Sequence, residues 1–269
     1  MLSVIVPTYN RPAALAKVLS AFELQQYRDF ELLIADDGSS IETSDLIAEM
    51  KERLSYPLQH LWQEDQGFRA AMVRNRAVAA AKGDYLVFVD GDCIPLPDFL
   101  SRHHALAQAN CFVAGNRVLF DEAFTQQVLD RDLPVCSWSF MRWLFARLRT
   151  EINRFAPIVR LPDGSFRHRQ PRRWQGVRTC NLGVWRSDVL RVNGFDESYQ
   201  GWGHEDADLA VRLIRANIFR KDGRFSVPVL HLWHQENDRS TLEENEQRLA
   251  AIIDSETVLA KQGVDQYLS

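Results

Sequence analysis

The sequence predicts an α/β fold in which a mostly parallel sheet is covered by helices on both faces. Two observations support this prediction. Short apolar runs alternate with segments of helical spacing through the first 120 residues, and the connections between them are short. The runs are nearly continuous in Val, Ile and Leu, as strands buried on both faces are. The predicted strands are residues 3–7, 30–35, 58–62, 84–89 and 111–118, and the predicted helices are residues 12–24, 44–53, 70–81 and 97–109.

The alternation ends near residue 120, and this defines the expected domain organisation. Residues 121–178 form an irregular insertion rich in arginine and aromatic side chains. Residues 179–240 return to a regular pattern, with one further helix and one further strand. Residues 241–269 are polar with apolar residues at helical spacing and predict a surface helix. We therefore expect one domain over residues 1–240, followed by a C-terminal helix.

Composition excludes several classes of protein. Of the 269 residues, 46% are apolar and 25% are charged, which is the balance of a soluble globular chain. The net charge of −4 gives no basic excess for binding nucleic acid. The four cysteines are widely spaced, which argues against a zinc cluster and for a reducing compartment. No apolar run reaches about 18 residues and the N-terminus begins with a strand-like segment, so we expect no spanning helix, no signal peptide and a cytoplasmic location.

The net charge is the sum of two unlike regions. Residues 142–178 contain ten arginines against two acidic residues, a net charge of +8, which leaves −12 on the rest of the chain. Two interpretations stay open. The basic block is a solvated loop with a small packed helix, or residues 138–178 contact an anionic membrane surface or an acidic acceptor. A membrane contact would make the protein peripheral at the inner face of the cell membrane.

Pairs of carboxylates follow two of the predicted strands. Asp90-Gly91-Asp92 completes the segment YLVFVDGD, and Asp36-Asp37 completes the segment ELLIADD. Ligands bind outside the carboxyl ends of parallel strands, so both pairs fall at the expected site. Two carboxylates one residue apart suit a hard cation such as Mg²⁺ or Mn²⁺. Alone, each pair is also compatible with a solvated turn or a helix cap.

Four segments in a fixed order give a more specific indication. They are SVIVPTYNR, IADDGSS, QGFRAAMVRNRAV and YLVFVDGDCIP, and over residues 2–98 they resemble the family 2 glycosyltransferases, whose GT-A fold is a single Rossmann-like sheet. Two later segments, NLGVWRSDVLRVNGFDESYQGWGHEDADLAVRL and LHLWHQEND, resemble the second half of the same catalytic domain. Within the family, the chain resembles bacterial chondroitin-polymerase-type domains, which share a WG-x-ED segment with the β-galactosyltransferases. Residues 1–120 would then be the nucleotide-binding half and residues 179–240 the acceptor half.

The resemblance implies a pocket for a UDP-sugar donor. Tyr9 would stack on the uracil, since an aromatic face holds a planar base, and Asp37 would accept from the uracil N–H with Asp36 as the alternative. Arg69 would reach the nucleotide and its phosphates, whereas Arg74 is interpreted as a solvated residue on a helix face. The full set of implied nucleotide-sugar residues is Pro7, Tyr9, Arg11, Asp37, Arg69, Asn75, Asp90 and Gly91.

The resemblance also implies a divalent cation, Mn²⁺ or Mg²⁺. Asp92 would bind the ion directly, and Asp90 would contact the ribose or a metal-bound water. His234, which begins the segment HQE, would complete the site from a distant strand. His231 lies three residues earlier, on the opposite face of an extended strand, and is assigned a structural role.

The segment around Glu205 implies an acceptor site. Glycines allow a tight backbone there, and the acidic residues begin a helix whose dipole favours anions. Asp206 would be the general base and Glu205 would hydrogen-bond the acceptor sugar, so both are assigned as catalytic. Trp202 would offer an apolar face to a sugar ring, and Asn181 is assigned to the same sugar-binding surface. His204 occupies a position where the related motif often has glycine.

These features together predict an inverting, metal-dependent glycosyltransferase. It would move galactose, N-acetylgalactosamine, glucose or N-acetylglucosamine from a UDP-sugar to a hydroxyl of a glycan or lipid-linked acceptor. A sugar-1-phosphate nucleotidyltransferase would carry a glycine-rich loop near the first strand, and PTYNRPAALA has no glycine. Two alternatives remain: one half of a polymerase whose partner domain lies on another chain, and a non-catalytic module that binds nucleotide-sugar or glycan, as a degenerate transferase would. The signature of such a module would be the loss of a metal or base residue, yet Asp92, Asp206 and His234 are all present.

Overall fold

A computed structural model describes residues 1–235 and 238–268. In this part of the chain the strands form two sheets, one of seven strands and one of three. The strands are β1 (Leu2–Thr8), β2 (Phe30–Asp36), β3 (Leu58–Trp62), β4 (Tyr85–Phe88), β5 (Cys93–Pro95), β6 (Cys111–Ala114), β7 (Asn116–Leu119), β8 (Leu182–Trp185), β9 (Phe219–Asp222) and β10 (Pro228–His231).

The larger sheet has the strand order β3-β2-β1-β4-β8-β6-β9. Its pairs are parallel except for those of β8, which runs antiparallel to both β4 and β6. Every residue of β2 and β4 is buried, because helices cover both faces of the sheet. The prediction of a mostly parallel sheet is therefore confirmed.

Helices lie on both faces of this sheet. Val4 of β1 packs with the first helix on one face, whereas its neighbour Ile5 packs with the third and eighth helices on the other. This alternation is the period of two that a strand imposes on its side chains. The helices are α1 (Pro12–Glu23), α2 (Ile41–Arg53), α3 (Ala70–Ala80), α4 (Phe99–Leu106), α5 (Glu122–Asp130), α6 (Phe140–Leu148), α7 (Arg186–Arg191), α8 (Glu205–Arg215) and α9 (Leu242–Asp254).

The smaller sheet, in the order β5-β10-β7, brings residues of the second half of the chain to the strand ends of the first half. β10 pairs antiparallel with β5, and the register sets His231 opposite Cys93. Asp92 precedes Cys93, and its carbonyl oxygen accepts from the N–H of Leu232 at 3.0 Å. The pairing of two short strands therefore places a distant histidine beside Asp92.

The single strand predicted over residues 111–118 is wrong, because the chain changes sheet at Gly115. β6 before it belongs to the larger sheet, and β7 after it belongs to the smaller one. A Cβ on Gly115 would overlap the side-chain amide of Asn181, so only glycine fits. The apolar run continues through this change because both strands are buried, and periodicity alone does not reveal it.

The C-terminal segment is more than the predicted surface helix. α9 ends at Asp254, and the chain then packs back onto the domain, with Ala260 and Val264 buried. Their N–H groups donate to the carbonyl oxygens of Val192 and Asn193, both at 3.1 Å. The last residues thus close part of the core beside α3. Within the described residues, each helix is too short or too polar to cross a membrane.

Candidate active site

The candidate site begins where β1, β2 and β4 end at the same edge of the larger sheet. The N–H of Gly91, in the turn after β4, donates to the carbonyl oxygen of Pro7 at 3.0 Å. A Cβ on Gly91 would lie 2.9 Å from that oxygen, so the close approach of the two segments requires glycine. Pro7 and Gly91 are both partly exposed, and they join the segment that carries Tyr9 to the segment that carries Asp92.

Tyr9 and Asp37 form a subsite at the ends of β1 and β2. Tyr9 is 46% exposed, and its hydroxyl donates to Asp65 Oδ2 at 2.8 Å, which fixes a ring that remains accessible. Asp37 is buried and accepts from Gln63 Nε2 at 2.6 Å and from the backbone N–H of Arg69 at 2.7 Å. Burial raises the pKa of Asp37, although these hydrogen bonds oppose the rise. A carboxylate has about four acceptor positions, so Asp37 can accept a further hydrogen bond from a ligand.

Asp36, the alternative to Asp37, is used by the protein itself. It is fully buried, accepts from the N–H of Ser39 at 2.8 Å and lies 2.9 Å from His60 Nε2. Burial opposes ionisation, but these hydrogen bonds hold the pKa of Asp36 below its ordinary value. Asp36 therefore stabilises the turn after β2, and Asp37 is the member of the pair that a nucleotide can contact.

Arg69 stabilises the loop that precedes α3. Its guanidinium donates to Gln66 Oε1 at 3.0 Å and to the carbonyl oxygen of Glu64. Its predicted contact with nucleotide phosphates is therefore not preformed, because these hydrogen bonds would have to be exchanged. The backbone N–H of Arg69, and not its side chain, serves Asp37 in this structure.

Asp92, His231 and His234 form a compact group of possible metal ligands. One donor atom from each lies within 4.8 Å of the other two. Asp92 Oδ1 is 3.7 Å from His231 Nε2, and Asp92 Oδ2 is 3.4 Å from His234 Nε2. The structure corrects the purely structural role assigned to His231. β10 ends at His231, so the opposite-face rule for an extended strand does not reach His234.

The donor set of this group fits a divalent cation. His234 Nδ1 lies 2.7 Å from the carbonyl oxygen of Gln235, and a carbonyl can only accept, so Nδ1 carries the proton. In the tautomer that this contact fixes, the lone pair of His234 lies on Nε2, which faces Asp92. Burial lowers the pKa of His231 to about 4, so the imidazole of His231 is neutral near pH 7. Two imidazoles beside one carboxylate are a set of ligands that a divalent cation accepts.

Arg11 connects the nucleotide subsite with this group. Its Nη1 lies 2.6 Å from Asp92 Oδ2, and its Nη2 donates to the carbonyl oxygen of Trp233 at 3.2 Å. The structure thus places the predicted nucleotide residue Arg11 at Asp92, the predicted metal ligand, where its charge balances the carboxylate. Glu236, the third residue of the predicted HQE segment, lies outside the described residues.

Arg74 is the main residue of the candidate site that the sequence interpretation missed. Its Nη1 lies 2.9 Å from Glu205 Oε1, and its Nη2 lies 3.4 Å from Asp90 Oδ1. The side chain is 6% exposed, so its interpretation as a solvated helix residue is wrong. Arg74 follows Ala71 by three positions and precedes Val78 by four, and this spacing was the available signal of a buried face. Arg74 joins the carboxylates of the donor and acceptor sides.

Glu205 and Asp206 begin α8, where the partial positive charge of the helix end favours carboxylates. Burial and the neighbouring charge of Glu205 raise the pKa of Asp206 to about 7, although Arg74 and Arg178 oppose the rise. A carboxyl group with a pKa near neutrality is a competent general base. Glu205, by contrast, is ion-paired with Arg74. The two neighbouring acids therefore have different environments, as their two predicted roles require.

The loop before α8 holds an unusual backbone. Gly201, Gly203 and His204 have φ angles of 71°, 111° and 76°. Glycine adopts such angles readily, but a histidine in the left-handed region is strained. Trp202, between these residues, has its ring 4.8 Å from the guanidinium of Arg239. The aromatic face predicted to contact a sugar therefore already contacts a cation.

A cavity of about 570 Å³ brings the predicted donor and acceptor sides together. This volume lies in the range of small-molecule sites. Tyr9, Asp37 and Arg69 are not in its lining, so the base subsite adjoins the cavity through the neighbouring Phe68. The lining includes Arg74, Asp90, His231 and His234 from the donor side and Trp202, Glu205 and Asp206 from the acceptor side.

Two asparagines predicted to contact ligands serve the fold instead. Asn75 is buried and donates to the carbonyl oxygen of Phe195 at 2.8 Å and to Glu197 at 2.9 Å, while it accepts from the N–H of Phe195 at 2.8 Å. Asn181 is 1% exposed; it accepts from His103 Nε2 at 3.1 Å and donates to backbone carbonyl oxygens. Both amides are occupied by protein partners, so their predicted ligand contacts do not fit the structure.

The fold and the site together agree with a GT-A glycosyltransferase domain. The sheet is mostly parallel and has carboxylates at its strand ends, and the site adds two neighbouring histidines and Asp206, a carboxyl group with a raised pKa. A model of glycosyl transferase family 2 matches residues 3–167, and a model of the N-terminal domain of galactosyltransferase matches residues 165–226. The first match covers more than half of the chain. The chain therefore belongs to glycosyltransferase family 2.

Individual relatives agree with this assignment. The chain is 29% identical over 235 residues to validoxylamine A glucosyltransferase of Streptomyces hygroscopicus subsp. jinggangensis, with 79% of this chain and 51% of that protein covered. It is 27% identical over 256 residues to chondroitin synthase of Escherichia coli, with 87% and 34% covered, and this confirms the predicted resemblance. The chain thus spans about half or less of the length of these relatives.

A solved structure supports the fold. The mannosyltransferase PcManGT of Pyrobaculum calidifontis, in complex with GDP-Man and Mn²⁺, superposes with a TM-score of 0.66 at 19% identity. The match covers 94% of this chain and 64% of that one. The predicted GT-A fold is confirmed.

Proposed function

We propose that the chain transfers a sugar from a nucleoside diphosphate to a hydroxyl of an acceptor. One observation carries the proposal. His231 and His234, which lie beside Asp92, line the same cavity as Asp206, whose pKa is about 7, and Arg74 lies between the two sides. The strand ends would bind the donor, and the start of α8 would bind the acceptor. The reacting groups would then meet inside the cavity.

The base subsite favours uridine. Tyr9 offers an accessible ring for stacking, which is worth roughly 1–3 kcal/mol per base. Both oxygens of Asp37 already accept one hydrogen bond each, so the carboxylate is fixed in orientation. It suits the single N–H of uracil better than the two adjacent N–H groups of guanine. We therefore propose a UDP-sugar carrying galactose, N-acetylgalactosamine, glucose or N-acetylglucosamine.

Asp92, His231 and His234 would hold a divalent cation. When bound, the ion supplies positive charge that stabilises the departing diphosphate. The mixture of oxygen and nitrogen donors favours Mn²⁺ over Mg²⁺, since Mg²⁺ prefers oxygen ligands. The Mn²⁺ in the Pyrobaculum complex agrees with this choice.

On the acceptor side, Asp206 would remove the proton of the attacking hydroxyl. Glu205, fixed by Arg74, would accept a hydrogen bond from a neighbouring hydroxyl of the acceptor sugar. A single base with no carboxylate assigned as a nucleophile supports direct displacement, which inverts the anomeric centre. We propose a glycan or lipid-linked glycan as acceptor and a cytoplasmic reaction, and the four unpaired cysteines support the reducing compartment.

The test is donor turnover by the purified full chain. UDP-galactose, UDP-N-acetylgalactosamine, UDP-glucose, UDP-N-acetylglucosamine and GDP-mannose are each incubated with Mn²⁺, Mg²⁺ or excess EDTA, with and without an oligosaccharide panel. We expect UDP release from one UDP-sugar, fastest with Mn²⁺ and lost in EDTA, and a product of inverted anomeric configuration by NMR. Full turnover in EDTA would contradict the metal assignment, and turnover of GDP-mannose alone would contradict the base assignment.

The alternative of a non-catalytic module predicts a different result. Such a module would bind a nucleotide-sugar in calorimetry yet release no nucleotide with any acceptor. Variant His234→Ala separates the cases further. In the proposed enzyme it should lose turnover and Mn²⁺ binding together, with UDP binding weakened and the fold kept.

A further inference from the structure

Helix α6, within the insertion, carries an exposed apolar stripe. Phe140, Met141 and Phe145 are each 54% exposed, and Leu148 is 70% exposed. Met141, Phe145 and Leu148 follow the spacing i, i+4, i+7, so they lie on one face of the helix. Large apolar side chains exposed side by side mark an interaction surface.

The opposite face of α6 holds the helix firmly on the domain. Trp143 and Ala146 are each 2% exposed. The ring of Trp143 lies 5.0 Å from that of Trp138 and 6.0 Å from that of Phe120. Phe120 also lines the active-site cavity, so α6 is separated from that cavity by one layer of aromatic side chains. The stripe is therefore presented on a packed helix near the site.

Basic residues surround the stripe. Residues 138–155 contain four arginines and one acidic residue, Glu151. The arginines Arg142, Arg147, Arg149 and Arg154 are all exposed, and Glu151 lies 3.9 Å from Arg149. An apolar face bordered by arginines matches the boundary between anionic headgroups and acyl chains. At nine residues, about 13 Å long, α6 can lie in that boundary but is too short to cross a bilayer.

We propose that α6 docks the domain on an anionic lipid bilayer. Phe145 and Leu148 enter the boundary between headgroups and acyl chains, and Arg147 and Arg149 contact the lipid phosphates. Docking through α6 holds the cavity close to the bilayer, where a lipid-linked acceptor is presented. The proposal goes beyond sugar transfer and does not depend on it, because lipid binding is measured without donor or acceptor.

The experiment is cosedimentation of the full chain with vesicles in 0.15 M NaCl. Vesicles of phosphatidylcholine with 30% phosphatidylglycerol are compared with vesicles of phosphatidylcholine alone. We expect the chain to bind the anionic vesicles more strongly than vesicles of phosphatidylcholine alone. High salt should weaken its binding to the anionic vesicles. The double variant Phe145→Asp/Leu148→Asp should lose binding roughly tenfold or more, since it removes two apolar anchors and adds two negative charges. The matched control is Leu24→Asp/Leu259→Asp, which alters two leucines 50% and 57% exposed elsewhere and should bind as the wild type does.

Three outcomes would overturn the proposal. The first is equal binding by the wild type and by Phe145→Asp/Leu148→Asp, and the second is equal binding to both kinds of vesicle. The third is a wild-type chain that binds no vesicles but is a dimer in sedimentation velocity, while Phe145→Asp/Leu148→Asp is a monomer. That result would identify a second copy of the chain, and not a bilayer, as the partner of the α6 stripe. Variant Asp206→Asn should bind vesicles as the wild type does, so failure of the proposed transfer reaction and failure of docking give different results.

Discussion

The strand-end site and the basic insertion use charged side chains in opposite ways. In the site, burial raises the pKa values of Asp37, Asp90 and Asp206, the last two to about 6 and about 7. In the insertion, Arg160 forms two hydrogen bonds with Asp98, at 3.0 and 3.1 Å. Burial therefore disfavours the charged forms of the site carboxyl groups, whereas Arg160 stabilises the charged form of Asp98 and lowers its pKa.

Arg167 shows the structural use of charge most clearly. Its side chain is fully buried and donates to the backbone carbonyl oxygens of Asp222 and Arg224 at 2.8 Å and of Leu161 and Pro162 at 3.0 Å. The interpretation as a solvated loop does not hold for Arg160 and Arg167, because both are paired within the protein, while an anionic partner remains a proposal for the arginines around α6. A carboxyl group whose charged form is disfavoured by burial is a candidate for contact with a ligand, whereas an arginine whose guanidinium donates to several backbone carbonyl oxygens has a structural role.

The largest expected effect separates activity from stability at Asp206. Variant Asp206→Asn should reduce transfer about a thousandfold, because a positioned general base contributes roughly 10²–10⁴-fold. Donor binding should be unchanged in calorimetry. The matched control is Glu243→Gln, an exposed acid in the first turn of α9, which should transfer at the wild-type rate. Residual transfer above a tenth of the wild-type rate would remove Asp206 as the base.

The same variant should be more stable than the wild type at alkaline pH. The carboxyl group of Asp206 has a pKa of about 7 in the folded protein, against an ordinary value of 3.8 for an aspartate. Its ionisation therefore opposes folding, so stability falls as the pH rises from about 4 to about 7 and is level above that. Thermal unfolding should show a higher Tm for Asp206→Asn at pH 8 and an equal Tm near pH 4. A lower Tm for Asp206→Asn than for the wild type at pH 8 would show that the charge of Asp206 stabilises the fold.

The opposite behaviour is expected for Arg167. Variant Arg167→Met removes a buried charge and leaves four carbonyl oxygens without their donor, which should lower the free energy of unfolding by about 3–5 kcal/mol. The control Arg147→Met alters an exposed arginine of the same insertion and should change it by less than about 0.5 kcal/mol. Urea denaturation measures both. The folded fraction of Arg167→Met should keep wild-type turnover at low temperature. A loss of turnover without a loss of stability would contradict the structural role of Arg167.

A smaller effect is expected from pH. Asp206, the proposed base, would act only when ionised, so kcat/KM should fall about tenfold for each pH unit below its pKa of about 7, reaching roughly a hundredfold near pH 5. His231, with a pKa of about 4, stays neutral over this range and adds no slope of its own. Rates measured at saturating Mn²⁺ test this. Asp90, with a pKa of about 6, titrates in the lower part of this range. Variant Asp206→Asn should therefore have a level profile above about pH 6.5, where the wild type still slopes, and an unchanged slope there would assign the titration to another group.

The sequence predicted the strand ends well and the tertiary pairings poorly, for a physical reason. Asp37 and Asp92 follow long apolar runs, and the buried parallel sheet alone fixes which edge they occupy. Arg74 was misjudged because its charge suggested solvent, although its helical spacing pointed inward. The role of His231 depends on pairing between β5 and β10, which no local pattern contains. Gly115 likewise gives no local sign that the chain changes sheet there.

The smallest expected effect concerns His204, which lies in the loop directly before α8. Its φ of 76° costs roughly 1–3 kcal/mol for a residue with a side chain, and glycine removes that strain but loses about 0.5–1 kcal/mol in backbone entropy. Variant His204→Gly should therefore raise stability by about 1 kcal/mol or leave it unchanged, as urea denaturation can measure. The control Gly203→Ala, at φ 111°, should destabilise. If the strained backbone positions the acceptor site, His204→Gly should lower the rate of transfer while stability rises, as expected for Asp206→Asn. A rate equal to that of the wild type would show that the strain has no role in transfer.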